Sequence, residues 1–375
     1  MSSPDVVVVG GGAIGASIAW RSAIHGLSVT LVEETPGRGA TWAAAGMLAP
    51  VTEAHFGEEK LLDLNLDSSR RWGTFAAELE ELTGRSIGYE QCGTLMVAPD
   101  GDDYAVISEL MGYQERLGLK VERLSRSELR ELEPALAPGI RGGAIVDGDH
   151  HVDNRALVDA LVEACLLTGV ELRAGRVESI ASRDGRVTGV AMDDGEFLAC
   201  ERVAVAAGCW TSEIDGIPES IRSAVRPVKG QLLYLRGREA QLVTRNVRSP
   251  DIYIVPRGDG RIVVGATVEE MGWDVTVTAE AVYTLLRDAF EVLPAIDGLE
   301  LLECVAGLRP GSRDNAPIIG ATEIDGLVIA TGHFRNGILL TPVTSDCIAE
   351  LIATGRTSDV IRDFAPARLT LEESP

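Results

Sequence analysis

Residues 5–15 read Asp-Val-Val-Val-Val-Gly-Gly-Gly-Ala-Ile-Gly, an apolar strand that runs directly into a glycine-rich turn. Gly10, Gly12 and Gly15 occupy the three glycine positions of a dinucleotide-binding turn. The first permits the tight turn, the second lets a pyrophosphate approach the backbone, and the third lets the following helix pack on the strand. This stretch therefore predicts a βαβ unit that binds a dinucleotide.

The segments that follow place further groups around the same turn. A helix starting near Ala13 directs its free N–H groups and the positive end of its dipole at the phosphates. A second strand, residues 27–32, ends at Glu33, 18 residues beyond Gly15, where a carboxylate can accept the ribose hydroxyls. The alternative is a βαβ unit whose glycines serve close packing alone, and the position of this acid favours the dinucleotide.

The composition of the whole chain excludes several classes of protein. At 375 residues it is long enough for two domains with a large core. Its formal charge of −23 disfavours nucleic acids and acidic membrane surfaces, because both are negatively charged. Six cysteines and five histidines are dispersed without metal-ligand spacing, which indicates reduced thiols and no metal site. With no apolar stretch of roughly 20 residues and no signal peptide, we expect a cytoplasmic protein.

Changes of pattern along the chain predict two domains built from separate segments. After residue 150 the pattern returns to that of the first βαβ unit, while residues 222–304 alternate like antiparallel strands. We predict an α/β fold, with a Rossmann-like dinucleotide-binding domain of discontinuous segments and an α+β substrate domain containing an antiparallel sheet. The predicted dinucleotide domain comprises residues 1–87, 146–220 and 305–370, and the substrate domain comprises residues 88–145 and 221–304.

Three further segments carry candidate site chemistry. Residues 41–47, Thr-Trp-Ala-Ala-Ala-Gly-Met, suit a backbone lying flat against a planar cofactor, with an inter-domain packing loop as the alternative. In residues 305–310, Val-Ala-Gly-Leu-Arg-Pro, Arg309 can bind a carboxylate bidentately, although an arginine beside proline is more often a surface or capping residue. Residues 332–339, Gly-His-Phe-Arg-Asn-Gly-Ile-Leu, can direct backbone N–H groups at a developing negative charge, or simply cap a helix.

Together these segments resemble the D-amino acid oxidase superfamily, and within it most closely the glycine oxidases of the thiamine pathway. The resemblance runs from the glycine turn to the last helix. It implies a D-amino acid oxidase-like fold with FAD bound non-covalently, because the positions at which relatives attach flavin hold Ala43, Gly307 and Leu308. Six blocks in the family's order carry it: residues 43–47, 228–230, 253–256, 264–267, 307–310 and 333–340.

The resemblance also implies an activity. It is the oxidative deamination of glycine, and of sarcosine or small D-amino acids, to glyoxylate, ammonia and hydrogen peroxide, by hydride transfer to flavin N5 with dioxygen as acceptor. Relatives of this kind form tetramers, and their glycine imine supplies thiazole formation for thiamine, which implies a homo-oligomer and the thiazole synthase as partner. A sarcosine oxidase-like enzyme, a D-amino acid dehydrogenase-like enzyme that reduces a quinone, and a non-catalytic flavoprotein are the alternatives.

Roles for individual residues follow from the same resemblance. Arg309 matches the arginine that binds the substrate carboxylate, and Tyr253 matches a tyrosine that supports it, although Tyr253 also fits a core position in its strand. Arg335 matches an arginine in the cleft, and Met47 is the fourth candidate at the substrate. The implied cofactor contacts are Gly10, Gly12, Ala13, Ile14, Gly15, Glu33, Glu34, Ala40, Thr41, Ala45, Gly46, Met47, Val177, Gly208, His333, Phe334, Arg335, Asn336, Gly337, Ile338 and Leu339.

The chain departs from the family's pattern at three positions. Val268 stands where a close relative has a methionine in its pocket, Asp251 replaces a histidine, and Trp42 replaces a small polar residue. We expect these changes to leave the reaction type unaltered and to affect the preference among small substrates.

Overall fold

The computed structural model describes residues 3–237 and 241–369, and these form 19 β-strands and eight α-helices. No helix in this described part of the chain has the length and apolar run that crossing a bilayer requires. The strands are β1 (Val6–Val9), β2 (Val29–Val32), β3 (Met47–Leu48), β4 (Thr94–Val97), β5 (Glu122–Ser125), β6 (Gly142–Val146), β7 (His150–His151), β8 (Glu171–Arg173), β9 (Val177–Arg183), β10 (Arg186–Met192), β11 (Phe197–Ala199), β12 (Val203–Val205), β13 (Arg226–Arg236), β14 (Asn246–Arg248), β15 (Tyr253–Pro256), β16 (Arg261–Gly265), β17 (Glu300–Gly311), β18 (Ile318–Ala321) and β19 (Leu327–Thr331). The helices are α1 (Ala13–Ile24), α2 (Glu59–Thr83), α3 (Gly101–Arg116), α4 (Arg126–Leu132), α5 (Asn154–Leu167), α6 (Glu219–Arg222), α7 (Ala279–Val292) and α8 (Thr341–Thr354).

A six-stranded sheet with the order β18-β19-β12-β1-β2-β8 contains the predicted dinucleotide unit. All neighbouring pairs are parallel except β18 with β19. The four valines of β1 are all buried because both faces of this sheet are covered. Val6 and Val8 pack into the core formed with α1, α5 and α8, while Val7 and Val9 pack under the small antiparallel sheet β11-β10-β9. The predicted Rossmann-like arrangement is confirmed.

The glycine turn between β1 and α1 requires glycine at two of its positions for different reasons. Gly10 has a φ of +102°, and a Cβ atom there would overlap the backbone of Ala206. A Cβ atom on Gly15 would overlap the carbonyl oxygen of Gly10, so this glycine lets α1 lie directly against the turn. Gly15 therefore has the packing role that its position in the motif predicts.

The second layer is an eight-stranded sheet with the order β17-β13-β16-β15-β14-β4-β6-β5. Its neighbouring pairs are antiparallel apart from β14 with β4, and the antiparallel sheet predicted for the α+β portion is confirmed. The predicted boundary between residues 304 and 305 falls inside β17, whose ladder with β13 runs from Glu300 to Gly311 with one register shift at Leu302 and regular pairing across residues 304 and 305. The division into two domains stays a prediction, and its residues 1, 2, 238–240 and 370 lie outside the described part of the chain.

The small-residue segment 41–47 connects the two layers. On one side, Thr41 Oγ1 accepts a hydrogen bond of 3.1 Å from the backbone N–H of Ala13 at the start of α1. On the other side, Ala45 packs with apolar side chains on one face of the eight-stranded sheet, among them Leu232 and Val263. The segment thereby sets the spacing between the glycine turn and the second sheet, which is where the candidate site lies.

Candidate active site

A single cavity of about 1230 Å³ extends from the glycine turn to the face of the eight-stranded sheet. Ligand sites for single small molecules are about 300–1,000 Å³, so this volume suits a dinucleotide together with a small substrate. Every residue that the sequence places at the site lines this cavity, with Gly15 as the exception, since it packs α1 against the turn. The structure thus brings together residues from segments 10–14, 33–47, 253, 309 and 333–339.

The carboxylate of Glu33 is fixed beside the glycine turn. It accepts hydrogen bonds from the backbone N–H of Gly11 at 2.7 Å and of Thr35 at 3.1 Å. Glu33 also lines the cavity, so its remaining lone pairs are available to hydroxyl groups of a bound nucleotide. This is the arrangement expected for an acid that accepts the ribose hydroxyls.

The N-terminus of α1 opens into the cavity. Gly12 is the N-cap residue and offers no side chain to the N–H groups of the first turn, of which that of Ala13 donates to Thr41 Oγ1. Ala13 and Ile14 line the cavity beside it. Uncapped N–H groups and the helix dipole favour an anion at this place. The absence of a side chain at Gly12 leaves the backbone accessible, so the turn fits the pyrophosphate of FAD.

The turn at residues 333–339 forms the wall of the cavity at the end of β19. Burial lowers the pKa of His333 to about 3, and its Nε2 lies 3.1 Å from Thr344 Oγ1, so the imidazole is neutral and structural. Phe334 has a φ of +48°, a strained conformation that is typical of residues at functional sites. Asn336 Nδ2 is buried and without a partner among the described residues, and a carbonyl group of a bound flavin would satisfy this donor.

Arg309 is held at the end of the cavity away from the glycine turn by two backbone carbonyl groups. Its Nη1 donates to Thr267 O at 3.0 Å and to Lys229 O at 3.3 Å. Both of these hydrogen bonds to carbonyl oxygens use Nη1, so Nε and Nη2 are not used by them and can bind a carboxylate. The guanidinium lies directly over Gly230, where a Cβ atom would overlap it.

Tyr253 lies beside Arg309 on the same face of the sheet. Its ring covers Gly265, the residue opposite it in β16, where a Cβ atom would overlap the ring and the hydroxyl group. Burial raises the pKa of Tyr253 above its usual value, against the opposing effect of the Arg309 and Arg248 guanidinium groups. The hydroxyl is therefore neutral at physiological pH and can donate a hydrogen bond to a bound carboxylate.

Arg335 also lines the cavity, but acidic side chains already surround it. Its Nε lies 3.2 Å from Glu53 Oε2, and its Nη2 is paired with Glu58. Arg248 is paired with the same Glu53. The sequence motifs contain neither Glu53 nor Arg248. The one feature of the sequence that could have identified Arg248 is its position shortly before Tyr253 in a segment of alternating pattern.

The three departures from the family's pattern lie in different places. Val268 and Asp251 line the cavity, and Val268 is 68% exposed, which places it at the rim. Trp42 does not line it, because its ring is stacked between the guanidinium groups of Arg38 at 3.6 Å and Arg155 at 3.7 Å. Trp42 therefore makes no direct contact with the cavity, and no contact in the structure supports its expected effect on substrate preference.

The glycine turn gives a first prediction about cofactor binding. In Gly12→Ala the new Cβ atom would lie 3.2 Å from Thr41 Oγ1, and the φ of −74° at this position suits alanine, so the fold should persist. The methyl group would occupy the space through which a pyrophosphate approaches the backbone. We expect the Kd for FAD to rise at least about tenfold, or about 1.4 kcal/mol, when the apoprotein is titrated with FAD.

The matched control for this prediction is Gly73→Ala, on α2, where a Cβ atom would meet nothing within 4 Å. It should leave FAD affinity unchanged. If Gly12→Ala binds FAD as tightly as this control does, the pyrophosphate does not lie against the turn.

A family model named DAO, FAD dependent oxidoreductase, matches residues 5–351 of the chain. The chain belongs to this family. Its members are described as FAD dependent oxidoreductases, and FAD is the cofactor of the family. The predicted resemblance, the D-amino acid oxidase-like fold and the FAD cofactor are all confirmed.

Individual members of the family are similar over the whole chain. The bifunctional protein ThiO/ThiG of Synechocystis is 36% identical over 100% of this chain, which spans only 55% of that relative's length. The hydrogen cyanide synthase subunit HcnC of Pseudomonas aeruginosa is 30% identical, with 98% of this chain and 97% of the relative covered. The crystal structure of glycine oxidase from Geobacillus kaustophilus matches with a TM-score of 0.90 and 32% identity over 98% of this chain and 99% of that chain.

Proposed function

We propose that this protein is an amino acid oxidase that converts glycine, dioxygen and water to glyoxylate, ammonia and hydrogen peroxide. Sarcosine and small D-amino acids are further substrates in this proposal. The observation that carries it is the arrangement of Arg309 and Tyr253 at one end of a cavity whose other end fits a dinucleotide. The glycine oxidase relatives, which cover nearly the whole chain, support the same substrate class.

The two side chains bind and orient the substrate in this proposal. Arg309 binds the carboxylate through Nε and Nη2, and the neutral hydroxyl of Tyr253 donates a further hydrogen bond to it. Anchoring the carboxylate at two points fixes the direction of the Cα–H bond, which lowers the barrier mainly by positioning. When bound, FAD supplies the electron acceptor for the oxidation.

The ThiO/ThiG relatives support a place for the reaction in thiamine biosynthesis. Their chains extend well beyond the part that matches this one, and the name bifunctional protein describes two functions in one polypeptide. We propose that the glycine imine formed here supplies thiazole formation, with the thiazole synthase as partner. That the protein forms a homo-oligomer in the cytoplasm stays a prediction.

The HcnC relative favours a second candidate function. It matches this chain along almost its entire length at 30% identity. A subunit of a hydrogen cyanide synthase would release cyanide rather than glyoxylate and ammonia. Analysis of the products from glycine therefore separates the two functions.

The decisive experiment is an anaerobic titration of the purified holoprotein with glycine, sarcosine and D-alanine while the visible flavin bands are recorded. The proposal expects glycine to bleach these bands, and expects glyoxylate and hydrogen peroxide after oxygen is admitted. If no small amino acid bleaches the flavin, the protein is not an amino acid oxidase. Bleaching with reoxidation by a quinone and no peroxide would identify a dehydrogenase instead.

A further inference from the structure

A second arginine lies beside the pair already described. Arg248 and Tyr253 are directly opposite each other in the antiparallel pair of β14 and β15, so their side chains share one face of the sheet. Tyr253 lies over Gly265 of β16, and Arg309 lies over Gly230 of β13. In the strand order β17-β13-β16-β15-β14, the tyrosine therefore stands between two guanidinium groups, and all three side chains line the cavity.

The charge of Arg248 is already balanced by an acid of the protein itself. Its Nη1 is paired with Glu53, whose other carboxylate oxygen lies 3.2 Å from Arg335 Nε. Burial, and to a lesser extent the neighbouring Arg335 guanidinium, lowers the pKa of Arg248 to about 10, so Arg248 is still cationic at neutral pH. Glu53 thus occupies the position that a second acidic group of a ligand would take.

Glu53 is held in this position by the segment that precedes it. The backbone N–H groups of Val51 and Thr52 donate to the two carboxylate oxygens of the fully buried Asp149 at 3.1 Å and 2.7 Å, and Thr52 Oγ1 donates at 2.6 Å. Gln114 Nε2 donates to Val51 O at 2.8 Å. The pair of Glu53 with Arg248 is therefore preorganised, unlike an ion pair between two mobile surface side chains.

We infer that Arg248 is a second carboxylate-binding position in the substrate pocket and that Glu53 occupies it as an internal ligand. Glu53 would then be the residue that excludes amino acids with a second acidic group, such as D-aspartate. A second carboxylate would have to displace Glu53 and would meet its negative charge. Without Glu53, Arg248 would be left as an unpaired charge in the cavity, and a dicarboxylate would satisfy it. The inference rests on the proposed function, because it names the substrates that the same pocket admits.

The variant Glu53→Gln tests this inference because it removes the charge and keeps the shape of the side chain. The probes are propionate and succinate, which differ by one carboxylate, and their Kd values come from the perturbation of the flavin spectrum of the holoenzyme. We expect the wild type to bind succinate no more tightly than propionate. In Glu53→Gln, the affinity for succinate relative to propionate should rise about tenfold or more, since a charge-assisted hydrogen-bonded pair is gained. The ratio of kcat/KM for D-aspartate to that for D-alanine should move in the same direction.

Glu58→Gln is the matched control. It removes the same charge from the same cluster, but Glu58 is paired with Arg335 and not with Arg248. It should give no gain for succinate, and the double variant Glu53→Gln/Arg248→Gln should lose the gain of the single variant. An equal gain in Glu58→Gln would show a general effect of charge and overturn the inference, as would an unchanged ratio in Glu53→Gln.

Two further points keep the outcome unambiguous. If Glu53→Gln does not fold, Glu53→Asp withdraws the carboxylate from Arg248 by one methylene group and should give a smaller gain in the same direction. Absence of a gain in this variant contradicts the inference. The binding measurements need no turnover, so a failure of the wild type to oxidise glycine would overturn the proposed function and leave this test unaffected.

Discussion

Replacing Arg309 with alanine should leave FAD bound and lower kcat/KM for glycine by about thirty-fold to several-thousand-fold. This range corresponds to about 2–5 kcal/mol, the loss expected when one partner of a hydrogen-bonded charge pair is removed from a buried site. The substrate carboxylate would lose its cationic partner, and Tyr253 alone would not fix the direction of the Cα–H bond. Steady-state kinetics with glycine, with FAD content measured by absorbance, give the result.

The control is Arg313→Ala, which removes the same charge four residues further along. Arg313 is exposed, and its Nη2 donates to Ser223 Oγ at 3.1 Å on the surface. This variant should retain the kcat/KM of the wild type. Near-normal turnover by Arg309→Ala would exclude Arg309 from the substrate site. Arg248, on the other side of Tyr253, would then be the next candidate for the carboxylate ligand.

The dinucleotide end of the site could be predicted from the sequence because its contacts are local. This end consists of the glycine turn, the start of α1 and the acid after β2, which all lie within a short stretch of chain. At each of these places the local structure determines which residue type can stand there. Gly10 needs a positive φ, Gly15 needs close packing, and Glu33 follows a buried strand. The residue types in this stretch and the spacing between them are therefore enough to predict most of the dinucleotide end of the site.

The charge cluster at the substrate end could not be predicted in the same way. Glu53 and Arg248 are 195 residues apart in the chain, and Glu58 and Arg335 are 277 apart. Their pairing depends on how the segment before α2 is placed against β14 and against the turn at residues 333–339. The resemblance names Arg335 as a residue of the cleft, but only the fold shows that carboxylates already balance its charge.

The predicted boundary between residues 304 and 305 stays a prediction, and it lies within one strand, β17. The Gly-Leu-Arg-Pro block around Arg309 contains glycine and proline, residue types that are common in turns. In the fold, Gly307 is instead the place where β17 passes closely over the small-residue segment, since a Cβ atom there would overlap that of Ala43. The glycine permits the approach of two layers, and the strand continues through it.

Gly230→Ala should reproduce much of the Arg309→Ala phenotype, although residue 230 has no side chain of its own. A methyl group at this position would overlap Nη1, Nη2 and Cζ of Arg309. The overlapping atoms are the far end of a flexible side chain, so the guanidinium would move and the sheet would persist. Arg309 would then lose its contacts with the carbonyl oxygens of Lys229 and Thr267. We expect kcat/KM for glycine to fall at least about tenfold, or about 1.4 kcal/mol, with FAD content unchanged.

A double-mutant cycle separates this mechanism from a general loss of stability. If Gly230→Ala acts by displacing Arg309, the double variant Gly230→Ala/Arg309→Ala should be no less active than Arg309→Ala alone, because the group that the methyl displaces is already absent. Gly112→Ala, on α3, where a Cβ atom would make only an ordinary contact of 3.7 Å with Arg116 Nη1, is the control and should behave as the wild type. Additive losses in the double variant would instead mean that Gly230 supports the sheet independently of Arg309.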